Sequence, residues 1–157
     1  MVFKALFLIS LSLWIGGSAF FAAVVTPAAF RSLGKEEVGR FLAAIFPAAD
    51  RWACVCGAVA VLSLYPIFLD RHLETSSLVL ELPVLFGLLL TCHNTLIVHP
   101  QIRELKRKMN LPEFQGTSHY QTIQFAFGRM HRLSVRLYLG ALLLGLLSLG
   151  LTPAALK

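Results

Sequence analysis

Charge is what this chain lacks. Residues 5–30, 52–69, 82–102 and 137–156 include no Asp, Glu, Lys or Arg. Each stretch is about as long as the ~17–25 apolar residues with which a helix crosses a bilayer. Charged residues make up 14% of the chain, against roughly 25% in soluble domains, which excludes an ordinary water-soluble fold. Cysteine is scarce too. Cys54, Cys56 and Cys92 all fall in or beside charge-free stretches, and no disulfide framework is implied. Cys54 and Cys56, two apart on a helix, point to nearly opposite faces and cannot share a metal ion. There is no GxGxxG, Walker loop, CxxC, HExxH or GxSxG. Asp50 and Glu81 belong at opposite membrane faces, so no carboxylate pair is poised for acid–base chemistry. One copy of the chain shows neither the charge rings nor the ordered carbonyls of a selective pore.

What is present reads as an all-α integral membrane protein: a compact, antiparallel four-helix bundle with spans at about 5–30, 52–69, 78–102 and 132–156. The loops are too short for a soluble domain, so residues 1–157 form one membrane domain. Lys4 ahead of an apolar run resembles a signal peptide. The run continues to Phe30, well past the roughly 7–15 residues of such a segment, and is expected to be a retained helix.

The 157 residues carry a formal charge of +6, and its placement sets the topology. Arg31, Lys35, Arg40 and Arg51 flank the first loop, and Arg103, Lys106, Arg107, Lys108, Arg129 and Arg132 the third, against Lys4, Arg71 and Lys157 on the other side. Positive residues mark the cytoplasmic side, so loops one and three are expected inside, with loop two and both termini outside. The expected partners of these loops are the bilayer and its anionic headgroups. Nucleic acid would need a basic folded soluble face, and no room is left for one.

The two halves resemble each other. Thr26-Pro27 ends span one and His99-Pro100 ends span three; each is followed by an aromatic amphipathic segment, 41–46 or 123–127. Phe46 precedes Arg51 by five residues, and Phe127 precedes Arg132 by the same five. The pattern reads as two tandem helix–loop–helix units with short amphipathic helices at the interface, related by an axis along the membrane normal. Gln101–Lys108 is expected to extend span three, with Glu104 and Lys108 paired at i,i+4. Ser12, Gly16, Ala19 and Ala23 form a stripe of small residues suited to close helix approach.

Two constellations carry candidate chemistry. His93 and Asn94 lie near the middle of span three, where an ionisable side chain is costly and normally faces the bundle interior. His93 could serve as a haem or metal ligand or a proton relay, or it could be a neutral histidine bonded to Ser12 or Ser63. A bis-histidine haem lacks its second histidine, since His99 lies six positions on along the same helix. A haem with one histidine, or with Cys or Met opposite, stays open. At the cytoplasmic mouth, His99, Arg103, His131, Arg132 and Ser134 share one depth with Asp50 and Arg51. Such a group suits an anion, or serves as a belt that snorkels to headgroups. Asp50 with Arg132, and Arg51 with Glu36 or Glu37, are the expected ion pairs.

The segments Leu13-Trp14-Ile15-Gly16-Gly17 to Pro27, Gly39-Arg40-Phe41 to Phe46-Pro47, and His131-Arg132-Leu133-Ser134-Val135 resemble a bacterial family of small four-span membrane proteins, catalogued as a domain of unknown function. That family is similar to an animal protein associated with resistance to platinum drugs, transmembrane protein two-hundred-five. The resemblance maps onto Pro27, Phe46, Pro47, His131 and Ser134, with Asn expected where Tyr138 stands. It implies a four-span fold and a bacterial inner-membrane location, and supplies no activity. The leading expectation is a non-enzymatic membrane protein that handles a small solute or metal, or stabilises a membrane assembly. As a transporter it would need at least a dimer, with the Ser12/Gly16 stripe as the first surface to consider. The alternative is a haem- or quinone-linked oxidoreductase.

Overall fold

The structure, a computed structural model, describes residues 2–70, 75–114 and 117–155. Arg71, His72 and Lys157, which entered the charge argument or flank it, lie outside the described residues. Among the described residues there are six α-helices: α1 (Val2–Phe20), α2 (Thr26–Ser32), α3 (Lys35–Asp70), α4 (Thr75–His93), α5 (His99–Met109) and α6 (Ser118–Ala155). A π-helical turn at Phe21–Val25 joins α1 to α2, and a second at Asn94–Val98 joins α4 to α5. Four long helices result, at Val2–Ser32, Glu36–Pro66, Val79–Met109 and His119–Pro153, all long and apolar enough to cross a membrane.

The two π turns have one cause. Pro27 and Pro100 stand at the first positions of α2 and α5. A proline ring clashes with the carbonyl four residues back and offers no N–H to it. The chain responds by closing a wider i→i+5 turn. The Thr26 N–H reaches Phe21 O, the His99 N–H reaches Asn94 O, and the Thr26 hydroxyl donates to Phe21 O as well, at 3.0 Å. Each bulge thus ends at the dipeptide that marks the half-repeat. The helices pair accordingly: α1 packs chiefly on α3, α4 chiefly on α6, and α3 on α4 joins the two units.

The helices overrun the charge-free stretches on the basic side. At 1.5 Å per residue the 36 residues of α3 span about 54 Å, well beyond a hydrocarbon core of roughly 30 Å. Segments 41–46 and 123–127 are the leading turns of α3 and α6, continuous with the spans they precede. Glu37 Oε2 accepts the Gly34 N–H at 3.0 Å and closes the start of α3. Glu104 pairs with Lys108 at 3.8 Å along α5, as the i,i+4 spacing led one to expect, and more closely with Arg107 at 2.9 Å. Lys106 Nζ donates to Gly39 O at 3.2 Å, tying that extension to α3.

The core gathers around α1. Phe7, Leu11, Trp14 and Ile15 are buried, together with Ala60 and Leu64 of α3 and Leu80 and Val84 of α4. Glycines let the other spans close on these side chains. A methyl group added at Gly145 would lie 2.6 Å from two carbons of Ile15, and one at Gly87 would lie 3.1 Å from the Trp14 ring. Small residues at helix crossings do this work in lipid, where apolar burial supplies no drive between helices. The stripe read in the sequence does not. Ser12, Gly16 and Ala23 face outward, and a methyl group at Gly16 would meet nothing within 4 Å. Large apolar side chains such as Leu62, Phe86, Leu96 and Leu143 also stand exposed, so the bundle is apolar on both sides, as a membrane-embedded helix bundle must be.

Candidate functional site

Three of the residues expected at the basic mouth meet in one buried chain of hydrogen bonds. Asp50 on α3 places Oδ2 at 2.5 Å from Nδ1 of His99 on α5, and His99 Nε2 lies 2.9 Å from the Ser134 hydroxyl on α6. Asp50 and Ser134 are each 7% exposed. The π turn makes this possible. An i→i+5 turn brings residues five apart to one side of the helix, so Asn94 and His99 both face inward. On a regular helix they would be turned well away from one another. Phe21 packs tilted against Phe46 with ring centroids 4.9 Å apart, and Phe46 meets the His99 ring edge-to-face at 6.0 Å.

The other expected residues stay outside. Arg51, Arg103, His131 and Arg132 are exposed. His131 stacks on Phe127 with ring centroids 6.1 Å apart. Arg132 folds back along its own helix: its Nη1 lies 3.5 Å from a methyl group placed at Gly128. The expected pair of Asp50 with Arg132 is therefore replaced by Asp50 with His99. The expected pair of Arg51 with Glu36 or Glu37 is not formed among the described residues, where Glu37 is turned to Gly34.

The intramembrane candidate divides in two. His93 is exposed on the outer surface, because it falls on the last regular turn of α4 before the bulge rotates the helix. It does not reach Ser63, whose hydroxyl donates instead to Val59 O at 2.6 Å. Asn94 is the inward member, 3% exposed, and its Oδ1 is buried without a hydrogen-bond partner among the described residues. A haem ligated at mid-membrane does not fit these side chains. His93 points away from the bundle, and both ring nitrogens of His99 are engaged.

Asn94 and Asp50 line a cavity of about 90 Å³ to which all four spans contribute. Its walls are mostly aromatic and aliphatic, with Trp14, Trp52, Phe21 and Phe46 among them; its polar lining includes Ser18, Thr91, Thr95 and Tyr138. The Tyr138 hydroxyl donates to Ser18 O at 2.5 Å. Thr91 and Thr95 donate to the carbonyls of Gly87 and Thr91, at 2.9 and 2.8 Å, which leaves their oxygen lone pairs as acceptors.

Two further contacts join the spans and leave no mark on the residue pattern. Tyr138, discounted because asparagine was expected there, bridges span four to span one. Cys54 Sγ and Cys92 Sγ lie 3.8 Å apart across spans two and three, and the Cys54 thiol also faces Thr95 Oγ1 at 3.6 Å. Among the described residues no three His, Cys, Asp or Glu side chains converge as a metal site.

The Asp50–His99–Ser134 connectivity is that of a hydrolase triad, but it runs the wrong way round. Among the described residues, the cavity lining takes in the carboxylate and neither His99 nor Ser134. Ser134 also sits within a regular helix whose ladder uses its N–H, unlike the sharp turn that exposes a nucleophilic serine. The arrangement holds an acceptor toward a small cavity between the spans.

Fold and site together define a multi-pass, all-helical membrane protein with a polar pocket inside its bundle. Residues 9–111 match the family described as "Domain of unknown function (DUF4149)", and the chain belongs to that family. The match takes in Asp50, Asn94 and His99, whereas Ser134 and Tyr138 lie beyond it. No curated protein and no solved structure matches the chain, and the likeness to transmembrane protein two-hundred-five has no match among them.

Proposed function

We propose that this protein handles a small polar solute in the membrane, with the cavity between its four spans as the binding site. One observation carries the reading: Asn94, whose Oδ1 is buried without a partner among the described residues, lines a cavity together with Asp50. A buried acceptor left unpaired costs about 1–3 kcal/mol, and a ligand that donates a hydrogen bond recovers it. About 90 Å³ accommodates on the order of six water-sized groups, at 10–15 Å³ for each probe sphere, which limits the solute to a few non-hydrogen atoms. In this reading His99 and Ser134 act as positioning residues that hold the Asp50 carboxylate in place. Loops one and three face the cytoplasm of a bacterial inner membrane, and the pocket lies toward that side, where Asp50 and Ser134 border the charge-free stretches of their helices.

The chain supplies its own reporter. Both of its tryptophans, Trp14 and Trp52, line the cavity. The test is a fluorescence and thermal-unfolding titration of the purified protein in nanodiscs with cations, neutral solutes and anions of two to six non-hydrogen atoms. A saturable change in tryptophan emission, accompanied by a raised unfolding temperature, is the expected result. A panel in which no member perturbs the tryptophans or the unfolding temperature overturns the proposal.

A further inference from the structure

Resting on the pocket reading above, we infer that the solute class is a small primary alkylammonium ion, seated with its nitrogen on Asp50 and Asn94 and its alkyl group on the aromatic wall. The polar side of the cavity offers acceptors. Asp50 uses Oδ2 on His99 and makes no other hydrogen bond or ion pair among the described residues. Asn94 Oδ1 has no partner, and Thr91 and Thr95 have already spent their hydroxyl protons on backbone carbonyls. A ligand that satisfies such a set must donate several hydrogen bonds from one small group, as an ammonium with three N–H bonds does.

Charge points the same way. Among the described residues the lining includes one carboxylate and no Lys, Arg or His. A bound anion would bring a second negative group against Asp50, whose carboxylate already takes up the His99 ring nitrogen, and this is unfavourable away from water. The apolar side separates an organic cation from a bare metal ion. Trp14 and Trp52 both line the cavity, and aromatic rings attract organic cations, the more so when the cation is desolvated. Sodium or potassium would need oxygen ligands all round, and the aromatic wall supplies none.

The test compares probes of equal size on the wild-type protein in nanodiscs at pH 7 and constant ionic strength. Ethylammonium chloride is titrated against ethanol, sodium acetate and sodium chloride, with Trp emission and unfolding temperature as readouts. Ethylammonium is expected to give half-maximal response at about tenfold lower concentration than ethanol, since charge-assisted bonds are roughly twice as strong as neutral ones. Sodium chloride and acetate are expected to give no saturable response. An equal response to ethanol overturns the ammonium assignment and leaves the pocket reading standing; silence from every probe removes both. In Asp50→Asn and Asn94→Leu the ammonium response is expected to fall at least tenfold, and an unchanged response in either folded variant overturns the assignment. Where Asp50→Asn fails to fold, Asn94→Leu and the wild-type probe comparison still decide.

Discussion

Removal of His99 should cost this bundle more than any other single polar deletion, because of what it leaves behind. Asp50 is 7% exposed, and its one charge-assisted bond, 2.5 Å long, goes to the imidazole. His99→Ala strands that carboxylate in the bundle, and breaking a buried pair by deleting one partner costs about 3–5 kcal/mol. Ser134→Ala, which removes the bond at the far side of the ring, should cost about 1 kcal/mol. Asp50→Ala removes the charge itself and leaves a ring that can still bond to Ser134, for about 1–3 kcal/mol. The double variant Asp50→Ala/His99→Ala should then be more stable than the sum of its singles by about 2 kcal/mol, within the range for residues in one network. Reversible unfolding in mixed detergent micelles measures all four corners of the cycle. A coupling energy under about 0.5 kcal/mol, the scatter of independent sites, would refute the pairing and with it the idea that His99 holds Asp50 in position.

Copper-phenanthroline oxidation should join Cys54 to Cys92, whose sulfurs are 3.8 Å apart, and peptide mapping should find that disulfide linking spans two and three; a Cys56 disulfide, or none, contradicts the helix packing. Gly145→Ala should destabilise the protein by about 1–3 kcal/mol through overpacking against Ile15. The penalty should vanish in an Ile15→Ala background, and its persistence there would assign it to another cause. A membrane-impermeant maleimide should label Lys106→Cys only after cells are permeabilised, and labelling of intact cells would invert the proposed topology.

The bundle was legible in the sequence because charge cannot be hidden in lipid: four charge-free runs leave few alternatives to four spanning helices. Helix ends were less legible. Past the slab a helix with Glu104–Arg107 pairing or a Lys106–Gly39 tie continues in water, where hydropathy carries no signal. The site was half legible. Asp50, His99 and Ser134 were identifiable as polar groups at one depth, but their partners were not. Arginine is the usual mate for a carboxylate, and regular helical phase turns His99 away from the interior. The bulge that Pro100 enforces resets that phase, which is also why Asn94 faces the interior and His93, its fellow candidate, does not. Tyr138 was unreadable because its partner is a backbone carbonyl in span one, and carbonyls leave no mark on a sequence.

The position of Trp14 and Ile15 has a consequence for how the molecule is built. Their packing partners come from Gly57 in span two, Gly87 in span three and Gly145 in span four. Span one is made before the other three, yet its two central side chains cannot be fully enclosed until span four is in the membrane. Until then the earliest segment waits half-seated, its indole in lipid. The polar cavity does not exist during that interval, because one of its walls is still being made. A chain that stops short of span four therefore loses more than a quarter of its helices: it never closes around the place where its chemistry is held.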